Sequence, residues 1–86
     1  MSQENRNNME KEGFRQQLQN LAAQPVSDSA FADTVYTAIS TFGISEQKFR
    51  DAFGLTKGAV DRWTQRQNLP QPAVRSVIID WIAGQL

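Results

Sequence analysis

Residues 44–70, ISEQKFRDAFGLTKGAVDRWTQRQNLP, contain two short amphipathic patterns on either side of Gly54. Ser45 is a favourable N-cap for the first, because its hydroxyl can accept a hydrogen bond from a free N–H in the first helical turn. Gly54 is expected to close that helix, since glycine readily adopts the left-handed conformation that follows helix ends. Thr56 is the N-cap candidate of the second helix. The segment therefore predicts two helices joined by a turn of three or four residues, which is a helix-turn-helix.

The second helix, predicted over residues 57–66, has an apolar side and a polar side. Val60 and Trp63 share the apolar side, because they are three residues apart. The residues on the other faces are Lys57, Gly58, Asp61, Arg62, Gln65 and Arg66. A helix this short is not stable alone in water, so its apolar side must dock on the rest of the chain. Its polar side is left for solvent or a partner.

The composition argues against catalysis. The chain has 86 residues, which favours one small domain, and it contains neither Cys nor His. Disulfides, thiolate metal sites and the commonest catalytic base are therefore excluded. No carboxylate pair stands in an apolar setting, and no Gly-rich phosphate loop is present. We expect a protein that is not an enzyme and that needs no cofactor.

Neither a membrane segment nor a strong charge bias marks the chain. No apolar run approaches the ~18 residues that a membrane span needs, and residues 1–13 lack the apolar core of a signal peptide. A cytoplasmic protein is expected. The formal net charge is +0, although nucleic-acid-binding domains are often basic. The cations are nevertheless concentrated in residues 44–86, which contain six against four anions, whereas residues 1–43 contain three against five.

The N-terminal part divides into a polar tail and a helix. Residues 1–10 are almost entirely polar and predict a disordered tail. Residues 11–24 place Phe14 and Leu18 at helical spacing and predict an N-terminal helix, which Pro25 would end. This helix either packs on the following domain or binds a second copy or another protein partner. The sequence leaves these roles open.

Residues 27–84 are predicted to form the main domain. Ser27 or Asp28 is expected to cap a helix, which Gly43 would end and which Tyr36 flanks. Its apolar stripe comprises Phe31, Val35, Ala38, Ile39 and Phe42. Pro72 is well placed to begin the last helix. The predicted core face of that helix is Val74, Val77, Ile78 and Trp81.

The apolar surface of the last helix is wider than one docked face needs, because Ile79 and Ile82 extend it. These two residues either form a dimer surface or are buried more fully against the first core helix. The whole pattern predicts an all-α fold, a small bundle of about five helices with a central helix-turn-helix.

The segment FRDAFGLTKGAVDRW resembles the helix-turn-helix of the phage repressor and Cro class, also called the XRE-like family. That family places Gly in the turn, an aliphatic residue six positions on and often Trp three later, which Gly54, Val60 and Trp63 match. The polar loop, the Leu-Pro pair and the final amphipathic helix also match, so the resemblance covers about residues 31–82. One position departs from the pattern. Arg50 stands where the family has a small residue, and either its stem extends outward or the helix is rotated or shifted by one residue.

The resemblance implies a sequence-specific double-stranded DNA-binding transcriptional regulator, a repressor, with residues 57–66 in the major groove. The residues implied in base readout are Lys57, Gly58, Asp61 and Arg62. The residues implied in phosphate contact are Gln47, Lys48, Thr56, Gln65 and Arg66. Lys57 and Arg62 are donors suited to guanine. Asp61 either accepts from cytosine or holds Arg62 in place. The family pairs two domains on a palindromic operator, which implies a homodimer.

A protein-interaction module is the alternative function. Similar helical cores occur in antitoxins, antirepressors and adaptors that bind proteins. The zero net charge, Arg50 and the additional N-terminal helix favour this alternative, whereas the cations of the second motif helix argue against it. A positive face around Lys57, Arg62 and Arg66 would favour DNA, and an apolar face there would favour a protein partner.

Overall fold

The computed structural model describes residues 3–86, with side chains from Met9 onward. The described residues form five α-helices and no strand: α1 (Gln3–Ala22), α2 (Asp28–Ser40), α3 (Glu46–Phe53), α4 (Ala59–Thr64) and α5 (Pro72–Gln85). The predicted all-α bundle of about five helices is thus confirmed. None of these helices combines the length and the apolar composition that crossing a membrane requires.

The first helix begins earlier than predicted. α1 starts at Gln3, although residues 1–10 were predicted to be a disordered tail and the helix to begin at residue 11. Five of the eight residues 3–10 are straight-chain types that favour helix and the other three are Asn, a weaker helix former, so the helix extends outward from its packed half. Met1 and Ser2 lie outside the described residues, and the tail prediction for them stays a prediction.

The C-terminal half of α1 packs on the domain. Phe14 and Leu18 are buried, and α1 runs against α5. The Phe14 ring stacks on that of Phe42, with centroids 4.7 Å apart and planes 8° apart. The helix is therefore part of the core, and a further role in binding a partner stays a prediction.

The core gathers side chains from all five helices. Ser27 caps α2, since its hydroxyl accepts from the Ala30 N–H at 3.1 Å. The ring of Phe31 meets Trp63 of α4 edge to face, with centroids 5.4 Å apart. Trp81 of α5 meets Phe49 of α3 in the same way at 4.9 Å. These aromatic contacts connect both motif helices to the remainder of the bundle.

The buried face of α5 differs from the prediction. Val74 and Val77, predicted to be core, are 43% and 58% exposed. The buried side chains are instead Arg75, Ile78, Ile79, Ile82 and Ala83. A dimer surface built on Ile79 and Ile82 is therefore wrong, and their fuller burial is confirmed.

Arg75 explains which face of α5 turns inward. Its Nε donates to the Pro70 carbonyl at 2.9 Å, and its Nη1 donates to the Val26 carbonyl at 2.9 Å. Nη1 also lies 2.8 Å from an Asp28 carboxylate oxygen. A buried guanidinium is tolerated only when its donors are matched. Because these partners come from the α1–α2 and α4–α5 connections, Arg75 joins two distant parts of the chain.

Candidate nucleic-acid interface

The first helix of the motif begins and ends as predicted. The Ser45 hydroxyl accepts from the Lys48 N–H at 3.2 Å. Gly54 adopts the left-handed conformation, with φ 62° and ψ 41°, and the next residue, Leu55, donates to the Arg50 carbonyl at 3.1 Å. This 6→1 bond is the Schellman ending, which favours glycine at the left-handed position. α3 then contacts α4 across the turn.

The second helix of the motif begins later than predicted. Thr56 is not its N-cap: the cap position is Gly58, with φ 86° and no side-chain cap hydrogen bond. Thr56 and Lys57 belong to the preceding turn, in which the Thr56 carbonyl accepts from the Ala59 N–H at 3.2 Å. The left-handed conformation of Gly58 interrupts helical geometry before Ala59. The second helix of the motif is thus shorter than the predicted 57–66, and the turn before it is longer.

The end of α4 is held in an unusual backbone conformation. The Arg66 N–H donates to the Trp63 carbonyl at 3.0 Å, and the Gln67 N–H donates to the Arg62 carbonyl at 2.8 Å. These bonds form a second Schellman ending, with Arg66 at the left-handed position and φ 62°. Gln65 and Arg66 therefore follow the helix rather than lying within it.

Most predicted site residues are exposed. They lie before α4, on α4 and just after it. Gln47 and Lys48 lie in the first turn of α3, with Thr56 and Lys57 in the turn before α4. Gln65 and Arg66 lie just after α4, and all six side chains are exposed. The remaining three lie at the N-cap of α4 and within it: Asp61 is exposed, and Gly58 and Arg62 are half-buried. The predicted base-reading residues are thus found at the beginning of α4 and on its first turn.

The Arg62 side chain runs back along α4 to Gly58. A Cβ atom at Gly58 would lie 3.3 Å from Arg62 Nη1 and 4.0 Å from Cζ. Of the two roles left open for Asp61, the structure does not show it holding Arg62, because the Asp61 carboxylate accepts from Gln65 Nε2 at 3.0 Å and forms no ion pair with Arg62. No hydrogen bond from the Arg62 side chain occurs within the part of the chain that the structure describes. Its donors are therefore available to a ligand.

A chain of polar contacts covers the outer side of α3. Gln47 Nε2 donates to Asp51 Oδ1 at 2.7 Å, while Arg50 Nη2 donates to Gln47 Oε1. Arg50 is half-buried, and its Nε is buried without a partner among the described residues. Its head group therefore does not extend outward but lies along the helix surface.

The basic residues of this region form no ion pairs with described carboxylates. Arg15 and Arg75 form ion pairs with Glu12 and Asp28. By contrast, no described carboxylate lies within ion-pair distance of the basic residues around α3 and α4, which are Lys48, Arg50, Lys57, Arg62 and Arg66. The nearby acids Asp51 and Asp61 accept from glutamine amides instead. The region therefore presents unpaired positive charge.

Comparisons with protein-family models, with curated proteins and with solved structures return no match for the chain.

Three features of the region were missed at the level of sequence. Two of them are the position of Arg62 beside Gly58 and the left-handed conformation of Arg66. Both depend on backbone geometry that the local sequence pattern does not predict. The third is a groove of about 210 Å³ beside α4, lined by Tyr36, Ile39 and Asp61 among others. Tyr36 is 62% exposed. The sequence did hold a signal for this exposure, because Tyr36 follows Val35 and therefore lies beside the apolar stripe and not within it.

Arg66→Gly is expected to raise the stability of the chain, because it relieves the left-handed conformation at this position. The left-handed conformation costs a side-chain-bearing residue about 1–2 kcal/mol, and the greater entropy of unfolded glycine offsets about 0.5–1 kcal/mol of the relief. Chemical denaturation should therefore show a gain of about 0.5–1 kcal/mol. If Arg66 contacts phosphate, affinity should fall and its salt dependence should weaken by about one unit of slope.

Gly54→Ala is the reciprocal control, because Gly54 has the same φ of 62°. It should lower the free energy of unfolding by about 1 kcal/mol. A loss of stability in Arg66→Gly would contradict the assignment of strain at Arg66.

Proposed function

We propose that this chain is a sequence-specific double-stranded DNA-binding transcriptional regulator that uses α3 and α4 as a helix-turn-helix. The observation that carries the proposal is the cluster of unpaired cations at both ends of α4, with exposed Lys57 and Arg66 and half-buried Arg62. The other exposed residues within 56–68 are polar: Thr56, Asp61, Gln65, Gln67 and Asn68. Positive charge of this kind matches phosphates and guanine edges better than an apolar protein surface.

In this mechanism the exposed side of α4 enters the major groove while Val60 and Trp63 keep the helix docked on the bundle. Arg62 donates two parallel hydrogen bonds to O6 and N7 of a guanine, and Lys57 adds a second donor nearby. Asp61 accepts from cytosine N4 after exchanging its contact with Gln65. Gly58 has no side chain, which allows the beginning of α4 to approach the base edges.

Phosphate contacts would hold the helix in its register without reading sequence. Lys48 in the first turn of α3 and Arg66 after α4 are exposed cations on either side of the base-reading residues. Thr56, Gln65 and Gln47 supply neutral donors, of which Gln47 must first release Asp51. Binding should therefore weaken as the salt concentration rises, since each neutralised phosphate releases counterions.

A homodimer completes the proposal. One α4 helix contacts too few base pairs to define a unique site, whereas two related by a twofold axis read half-sites ~34 Å apart. A palindromic operator follows, and its occupation would repress transcription by excluding other proteins from that DNA.

Arg62→Ala is expected to weaken binding to the operator by about 1–3 kcal/mol and to relax preference at one base pair in each half-site. Fluorescence anisotropy with operators changed at single positions measures both effects. Lys11→Ala is the matched control, because Lys11 is an exposed cation on α1 outside the motif. Equal losses in the two variants would remove Arg62 from base readout and leave only a general effect of charge.

A protein-interaction module is the second candidate function, and the groove beside Tyr36 favours it. An exposed aromatic ring over an apolar groove is a common anchor point for a protein partner. Under this alternative, Tyr36→Ala would abolish partner binding and Arg62→Ala would leave it intact. Under the DNA proposal, operator affinity shows the reverse order.

A further inference from the structure

Gly58 is the one glycine of the motif whose missing side chain leaves room for another residue. Gly43, Gly54 and Gly58 all have positive φ, at 70°, 62° and 86°. A Cβ at Gly43 or Gly54 would meet nothing within 4 Å, whereas one at Gly58 would lie 3.3 Å from Arg62 Nη1. The positive φ therefore explains glycine at all three positions. It does not explain why the Arg62 side chain lies beside the missing Cβ at Gly58.

We infer that Gly58 is a positioning residue for Arg62. The guanidinium lies against the space left by the absent Cβ, with Nη1 3.3 Å from the position that a Cβ would take, so that the donors of Arg62 stand beside the beginning of α4 before a ligand arrives. No other described group performs this task by hydrogen bonding, because the Asp61 carboxylate is engaged by Gln65 and the Arg62 side chain makes no hydrogen bond to protein. The absence of a side chain at Gly58, rather than an ion pair, is what allows the guanidinium to lie here.

The consequence for binding rests on the proposed function. An arginine that is already ordered loses less conformational entropy when it binds a guanine, and its bidentate geometry tolerates little misplacement. A Cβ at position 58 would lie too close to Nη1, so the guanidinium would have to shift by a few tenths of an ångström from its place beside the beginning of α4. We expect Gly58→Ala to weaken operator binding by about 3- to 10-fold through this loss of preorganisation.

A double-mutant cycle separates this role from direct approach of Gly58 to DNA. Operator affinity is measured for the wild-type chain, Gly58→Ala, Arg62→Ala and the double variant. If Gly58 acts through Arg62, the 3- to 10-fold effect of Gly58→Ala should shrink to about 2-fold or less in the Arg62→Ala background. If the added methyl group instead obstructs the DNA or distorts α4, the same loss persists without Arg62, and the inference is overturned.

Gly43→Ala is the control for strain, because it places Ala in a similar left-handed conformation with no side chain nearby and lies outside the motif. It should lower stability without changing operator affinity at a temperature where all variants are folded. Gly58→Asn guards against a folding defect. Asn tolerates positive φ better than Ala but also fills the space of the guanidinium, so its affinity should fall as that of Gly58→Ala does.

A readout without DNA distinguishes failure of the inference from failure of the proposed function. The ¹⁵N heteronuclear NOE of Arg62 Nε–H should exceed that of exposed Arg66 Nε–H in the wild-type chain. The difference should disappear in Gly58→Ala and persist in Gly43→Ala. If Arg62 is as mobile as Arg66 in the wild-type chain, the positioning role is overturned. An ordered Arg62 in a chain that binds no DNA would sustain the contact and overturn the proposed function alone.

Discussion

Trp63→Ala is expected to lower the free energy of unfolding by about 3–5 kcal/mol. Trp63 is 5% exposed, and its ring meets the fully buried ring of Phe31 edge to face. Removing it deletes the larger of the two side chains that dock α4 and leaves a cavity that so short a helix cannot close. Small domains are stable by about 5–15 kcal/mol, so this one change removes a large share of the total. Denaturant unfolding followed by circular dichroism measures the loss.

Tyr36→Ala is the matched control for this prediction. It also removes an aromatic ring, but Tyr36 is 62% exposed, and we expect a change of no more than about 0.5 kcal/mol. If Trp63→Ala loses as little as Tyr36→Ala, then α4 is not held to the bundle by Trp63 and the docking described above is incorrect.

Arg75→Ala is expected to lower the free energy of unfolding by about 3 kcal/mol. The guanidinium donates to the carbonyls of Val26 and Pro70, and hydrogen bonds from charged donors to such groups contribute more than neutral ones. Alanine would leave both acceptors without this partner and would open space beneath the two connecting loops. Arg75→Lys should recover only part of the loss, because an ammonium lacks the planar fork that reaches two carbonyls at once.

Asp28→Asn tests how much of the Arg75 effect belongs to the ion pair. The Asp28 side chain is 68% exposed, so solvent screens the pair strongly. We expect Asp28→Asn to cost no more than about 1 kcal/mol, including the weaker interaction of its side chain with the beginning of α2. A loss equal to that of Arg75→Ala would show that the charge pair, and not the carbonyl contacts, holds the two loops together.

The helix ends that follow from local chemistry were predictable from the sequence. Ser27 and Ser45 cap α2 and α3, because the hydroxyl oxygen of an N-cap residue accepts a hydrogen bond from a backbone N–H within the next three residues. Gly54 ends α3 in the left-handed conformation for an equally local reason. None of these positions depends on what the rest of the chain does.

The beginning of α4 was mispredicted because two local preferences compete there. Thr56 has the side chain of an N-cap, but Gly58 two residues later can adopt a positive φ that no helix continues through. The end of the same helix shows the opposite case. Arg66 has no preference for the left-handed conformation and is held in it by the hydrogen bonds of Gln67 and of its own N–H.

The orientation of α5 was not predictable from periodicity. Six of the nine residues 74–82 are apolar, so several faces fit a helical stripe equally well. Arg75 determines which face of α5 is buried, because its guanidinium donates to the carbonyls of residues 26 and 70. The Val26 carbonyl lies 49 residues before Arg75 in the chain, and a partner so distant leaves no trace in a local pattern. The candidate site was predicted as a set of residue types. The path of Arg62 toward Gly58 was not predicted, because it depends on the backbone conformation at Gly58, where φ is 86°.

Selection from a random-sequence duplex DNA library at two salt concentrations tests the central claim most directly. We predict enrichment of a palindrome with half-sites about one helical turn apart, and an affinity that falls as the salt concentration rises. Sequencing of the retained DNA would also identify the operator for the Arg62 variants. Absence of any enriched sequence, together with no retention of DNA even at low salt, would contradict the proposal that this helix-turn-helix binds DNA.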